Sequence, residues 1–125
     1  MKQINSTVMK ILIIINDAPY GSEKAYNALR IATQLIKENN SVELRIFLMA
    51  DAVICALQNH ETPNGYYNIE RMMTFLLTKQ VSIKLCGSCT KARGLNKDLI
   101  LPKTEISNME ELGHWILDSD KVINY

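Results

Sequence analysis

Cysteine, proline and glycine are all scarce in this chain of 125 residues, with three, three and five copies. Cys55, Cys86 and Cys89 are too few, and odd in number, for a secreted disulfide framework. No low-complexity tract, internal repeat or domain linker is visible. Charge of one sign is lacking too: 14 Lys plus Arg against 13 Asp plus Glu leave a net +1. That balance argues against a nucleic-acid-coating or polybasic membrane-binding protein. Long apolar runs are missing as well. Ile11–Ile15 and Ala52–Leu57 are typical of the longest, and a spanning helix needs ~20 such residues. No basic-then-apolar leader precedes the first hydrophobic run, so a cytoplasmic location with mostly reduced thiols is expected. What is present is a 47% apolar, 22% charged composition. That is the profile of one globular domain and too apolar for disorder.

The pattern along the chain alternates. Residues 1–8 are polar and patternless, and are expected to be a disordered extension before a single domain over 9–125. Met9–Ile15 (MKILIII) has the continuous β-branched character of a strand buried on both faces. After the turn Asp17–Gly21, Ser22 is placed to cap a helix. Ala25, Ala28, Leu29, Ala32, Leu35 and Ile36 mark that helix to about Glu38–Asn40. Val42–Met49 reads as a second strand. Asp51 is placed to cap a short apolar helix, Ala52–Gln58. Asn59–Asn68 reads as an exposed loop. Ile69, Met72, Met73, Leu76 and Leu77 recur at helical spacing, with both methionines expected in the core. Val81–Leu85 is a third strand running into Cys86, and Gly87–Leu99 a loop with one helical turn. A short strand near Thr104–Ile106, a helix capped by Ser107 or Asn108 and ending at Leu117, and an edge strand Lys121–Asn124 complete the order. Such alternation predicts an α/β fold: a mostly parallel, five-stranded sheet with helices on both faces.

In open parallel sheets the working edge lies at the carboxyl ends of the strands. Asn16–Ser22, Ala50–Asp51 and Cys86–Gly94 should therefore converge. The informative stretch is Cys86-Gly87-Ser88-Cys89-Thr90-Lys91-Ala92-Arg93-Gly94. A free thiol has a pKa near ~8.5, and positive neighbours or backbone N–H groups raise its thiolate fraction. Arg93, Lys91 and Lys84 are candidates for that role; Lys84 shares a side of the strand with Cys86 in a regular pleat. Gly87 and Gly94 permit tight turns. Tyr20-Gly21-Ser22 before the first helix could hold an anion at the helix N-terminus, although a plain strand-to-helix turn is the simpler reading and could still wall the pocket beside Cys86. Asp51 faces the same edge.

Several chemistries fit these thiols. They could be small buried residues, or a CxxC dithiol acting as an oxidoreductase or redox sensor. A non-catalytic oligomeric binding module is a further alternative. Structural zinc needs about four ligands; one CxxC with His60 and His114 in unrelated elements falls short, so neither metal nor cofactor is expected. Cys55 sits inside an apolar run and reads as core.

From Met9 to Tyr125 the chain resembles the DsrE/DsrF-like sulfur-relay family, most closely its YchN-like branch. The resemblance is carried by Ala18-Pro19-Tyr20-Gly21-Ser22-Glu23, Leu44–Val53, Gly65-Tyr66-Tyr67-Asn68-Ile69, Val81–Cys89 with Arg93-Gly94, and Ser119-Asp120-Lys121-Val122. It implies a three-layer α/β/α sandwich, flavodoxin-like in general architecture, assembled as trimers or hexamers. It also implies sulfur carried as a persulfide between donor and acceptor proteins, with no direct nucleic-acid or membrane contact. In relay members the carrier Cys stands eight residues before the Gly of an Arg-Gly pair, which here selects Cys86. The chain departs from members with two successive arginines, since Ala92 replaces the first, and it adds Cys89.

Overall fold

The structure, a computed structural model, describes residues 8–38 and 41–125. The expected N-terminal extension, apart from Val8, lies outside the described residues, as do Asn39 and Asn40. Strands β1 (Met9–Ile15), β2 (Val42–Leu48), β3 (Ser82–Cys86), β4 (Glu105–Ser107) and β5 (Lys121–Asn124) form one sheet. Its order is β4-β3-β2-β1-β5, and every neighbouring pair is parallel. β1 therefore has a strand on each side, and Ile11 to Ile15 are all buried. This is the burial that its unbroken apolar run demands. The flavodoxin order is 2-1-3-4-5; the layers here are alike but the strands are placed differently.

Helices α1 (Lys24–Glu38), α2 (Ile69–Thr78) and α3 (Gly87–Ala92) join strands that step the same way across the sheet. Right-handed crossovers therefore put all three on one face. Helix α4 (Met109–Leu117) makes the return from β4 to β5 and covers the other face. Side chains agree. Leu44, Ile46 and Leu48 alternate with Arg45 and Phe47 along β2. Phe47 meets Trp115 of α4 edge-on, with ring centroids 6.2 Å apart. α1 buries Ala25, Ala28, Leu29 and Ala32, a single stripe at helical spacing. Ser22 Oγ accepts the Lys24 N–H at 3.3 Å and donates to Asp17 Oδ2 at 2.7 Å. In α2, Met73 is buried but Met72 only half-buried, so one of the two methionines belongs to the core.

Polar groups fix α4. Asn108, of the two caps considered, accepts the Glu111 N–H at 2.9 Å. The buried Arg45 guanidinium donates to Asp118 Oδ2 at 3.1 Å and Ser119 Oγ at 2.9 Å, and lies over the Trp115 ring. Hydrogen bonding from Lys10, then that from Arg45, holds the Asp118 carboxyl below its ordinary value despite some desolvation.

Two segments differ from expectation. The apolar helix foreseen at Ala52–Gln58 is a 3₁₀ helix over Ala50–Ala56, and its N-cap is Met49, with no side-chain cap. Asp51 is therefore not a cap; it lies in the first turn. The segment Gly87–Leu99 holds α3 and a second 3₁₀ turn, Lys97–Leu99. Among the described residues no helix is long and apolar enough to cross a membrane.

Candidate functional site at the carboxyl end of β3

β3 ends at Cys86, and the chain enters α3 with no intervening loop. Cys86 is the N-cap of α3, in extended backbone (φ −61°, ψ 120°). The turn can be this abrupt because residue 87 has no side chain. A Cβ there would sit 2.7 Å from the Ser107 carbonyl oxygen on β4. Glycine is thus required at 87 for close approach, whereas Gly94 is suited to its positive φ of 68°. Thr90 Oγ1 donates to the Gly87 carbonyl at 2.7 Å and ties off the turn.

Cys86 is 5% exposed, at the carboxyl end of β3. Burial pushes the thiol up. Hydrogen bonds from the Cys89 thiol, the Ser88 hydroxyl and the backbone N–H groups of Cys89 and Ser88 push it down and prevail, so the net shift is downward. The Ser88 Oγ lies 3.3 Å from the Cys86 sulfur. The groups that stabilise this thiolate are therefore neutral donors on the first turn of α3.

Cys89 is more open than Cys86. Its sulfur accepts the Ala50 N–H at 3.2 Å. Ala50 is held at φ +51°, an uncommon conformation for a residue with a side chain. Burial and then the hydrogen bond to Cys86 push the Cys89 thiol up, against the Ala50 N–H and the Arg93 charge. The pair thus has a division of labour: Cys86 ionises first, and Cys89 keeps its proton. Cys55 is fully buried, and burial drives its thiol up to about 12; it is core, as expected.

Arg93 bridges two of the three converging stretches. Its Nε and Nη2 donate to Asp51 Oδ1 at 3.0 and 2.9 Å, and its Nη1 donates to the Cys89 carbonyl at 3.0 Å. Asp51 is the anchor of Arg93, and Arg93 serves Cys89 rather than Cys86. Lys84 departs from the expectation. Its ammonium pairs with Glu111 at 3.2 Å and Glu105 at 3.8 Å, over the Trp115 ring. Helix α4 covers its side of the sheet and supplies Glu111, while the neighbouring strand β4 supplies Glu105.

The turn before α1 also leads elsewhere. Tyr20 Oη lies 2.7 Å from His60 Nδ1 and accepts the Ile69 N–H at 3.0 Å, and its ring stacks on Tyr67. Burial pushes the His60 imidazolium pKa down. A Cβ on Gly21 would meet only Ala18 Cβ, at 3.8 Å, so nothing there demands glycine for anion binding. Ser22 is occupied by Asp17 and the Lys24 N–H. Tyr20, Gly21 and Ser22 thus form a strand-to-helix turn tied to the 60–69 loop. Sequence reasoning missed Ser88 and Ala50 as sulfur donors; the first was legible as a hydroxyl two residues after Cys86, the second had no local signal. Among the described residues no group of three or more His, Cys, Asp and Glu could hold a metal ion.

The stretch that bears this site, and nearly everything around it, matches a known family: residues 9–125 fit the DsrE/DsrF-like family. The chain belongs to that family. Within the DsrE/DsrF-like proteins it is 40% identical over 118 residues to Protein YchN of Escherichia coli K12, covering 94% of this chain and 100% of that protein. The crystal structure of Escherichia coli YchN superposes with a TM-score of 0.87, covering 94% of this chain and 99% of that one. A protein of Haemophilus influenzae named a sulfurtransferase TusD homolog is 28% identical over 125 residues, covering 92% of this chain and 98% of that protein. DsrE/DsrF-like membership agrees with the parallel α/β sandwich described above.

Proposed function

We propose that this DsrE-family chain carries sulfur as a persulfide on Cys86, accepting it from a donor protein and passing it to an acceptor protein in the cytoplasm. The observation that carries the proposal is the Cys86 thiol: held at a rigid strand end, and shifted toward the thiolate by the Cys89 thiol, the Ser88 hydroxyl and the first N–H groups of α3. In the first step the Cys86 thiolate attacks the outer sulfur of the donor persulfide. A bond forms from Cys86 Sγ to that sulfur, and the donor departs as a thiolate. In the second, an acceptor thiolate attacks the outer sulfur, and Cys86 is the leaving group. A depressed thiol pKa favours departure, and the same donors that stabilise the resting thiolate receive it again. Incubation with a cysteine desulfurase and cysteine, quenched by alkylation, should add about 32 Da to the peptide carrying Cys86. A gain confined to Cys55 or Cys89, or no gain together with no Cys86–Cys89 bridge, would overturn the reading.

We further propose that the working form is a homo-oligomer, a trimer or hexamer. Met109, Ile116 and Leu117 form an apolar stripe on the outer side of α4, 63%, 41% and 86% exposed. Gly113 lies among them with open space above it. Such a stripe is unusual on a monomer, and a small residue at its middle lets a second copy approach closely. Light scattering should give a multiple of the 14.2 kDa chain mass, and replacing Leu117 with Glu should lower it. A stable monomer in the unaltered chain contradicts the proposal.

A further inference from the structure

We infer that Cys89 discharges the Cys86 persulfide as inorganic hydrosulfide, giving this chain a sulfide-releasing activity besides transfer. The inference rests on the persulfide reading above and concerns what happens when no acceptor arrives.

The geometry separates the two sulfurs of the persulfide. Cys86 is 5% exposed, and once it is loaded, a thiol arriving by the route the sulfur took meets the outer sulfur before the Sγ, and transfer follows. Cys89 is different. It stands three residues after Cys86 across the first turn of α3, a spacing that brings Cβ atoms to about 5–6 Å. A disulfide takes Cβ atoms about 3.5–4.5 Å apart, so closing the bridge draws in the backbone of that turn as well as the two side chains; the two thiols already influence each other's ionisation. Cys89 is thus the thiol placed to reach the inner sulfur.

The surroundings of Cys89 suit an attacking group. The Ala50 N–H points at its sulfur from 3.2 Å, presented by a backbone at φ +51°. Arg93 is fixed beside it by Asp51 and by the Cys89 carbonyl. Both stabilise negative charge as the Cys89 proton leaves. In the unloaded pair burial, and then the hydrogen bond to Cys86, keep that proton on Cys89. It is therefore available to the departing sulfur.

The step balances. Cys89 Sγ bonds to Cys86 Sγ as the bond from Cys86 Sγ to the outer sulfur breaks. The outer sulfur leaves with that electron pair and, with the Cys89 proton, becomes HS⁻. The sulfane sulfur is reduced to sulfide, and two cysteines are oxidised to the Cys86–Cys89 disulfide. A dithiol reductant reopens it for the next cycle.

The test loads unaltered, Cys89→Ser and Cys89→Ala chains with glutathione persulfide under anaerobic conditions, removes the donor by gel filtration, and follows mass and free sulfide. The unaltered chain should lose its added ~32 Da and release one HS⁻ per chain, ending about 2 Da below the dithiol form with a mapped Cys86–Cys89 bridge. The decay should be first order and independent of protein concentration. Both Cys89 variants should hold the sulfur at least tenfold longer. Equal retention in all three chains, or release whose rate scales with protein concentration, overturns the discharge step alone. If no chain, unaltered or variant, gains sulfur on Cys86 or releases sulfide, the persulfide reading falls and this inference with it.

Discussion

Cys86→Ser should abolish sulfur loading outright, while Lys84→Met should leave it within about twofold of the unaltered chain. The first half follows from chemistry: a serine hydroxyl is not ionised near neutral pH and cannot form a persulfide. The second is the more discriminating. A lysine two residues before a nucleophilic cysteine, on the same side of a strand, invites assignment as its activator. Here the ammonium is engaged by Glu111 and Glu105 beneath α4. The Cys86 thiolate is held instead by the Cys89 thiol, then by the Ser88 hydroxyl and the N–H groups of Cys89 and Ser88. Ser88→Ala should consequently slow loading more than Lys84→Met does. Rates of Cys86 alkylation against pH provide the check: the midpoint should rise in Ser88→Ala and stay put in Lys84→Met. A rise in the lysine variant equal to that in the serine variant would contradict the assignment.

Gly87→Ala should damage stability and chemistry together. The added Cβ would lie 2.7 Å from the Ser107 carbonyl oxygen, with Ile106 Cγ2 at 3.4 Å behind it. A backbone carbonyl paired into β4 does not move aside cheaply, so α3 must shift away from the sheet. Overpacking of this kind costs about 1–3 kcal/mol, readable as a lowered denaturation midpoint. The shift also displaces the first turn of α3, which carries every donor to Cys86. Loading should therefore fall even where the variant remains folded. Gly21→Ala is the matched control. Its Cβ would meet only Ala18 Cβ at an ordinary 3.8 Å, and both stability and loading should be nearly unchanged.

The contrast between these glycines shows what was legible before any coordinates. β1 could be read directly from its unbroken apolar run, and β2 and α1 from apolar residues that recur at strand and helix spacing. The strand-end position of Cys86 followed from the same reading, and so did the convergence of Ala50–Asp51 on Cys89–Arg93. What escaped was settled by partners distant in sequence. Tyr20 is claimed by His60, 40 residues on, and Lys84 by Glu111, 27 residues on. The 3₁₀ helix starts at Ala50, earlier than expected, and Ala50 adopts a positive φ without a glycine to announce it. Asp51 then faces Arg93 and not the helix end.

The pairing of β1 with β5 has a consequence for how the chain is made. Lys10 and Asp120 exchange hydrogen bonds at 2.8 Å, and Tyr125 binds both Ile14 and Asn16. During translation β1 emerges early, yet one flank of this isoleucine-rich strand has no partner until residues 121–125 leave the ribosome. For that interval the nascent polypeptide displays a sticky, unpaired edge, and its yield in a cell will depend on how well holdase chaperones shield it.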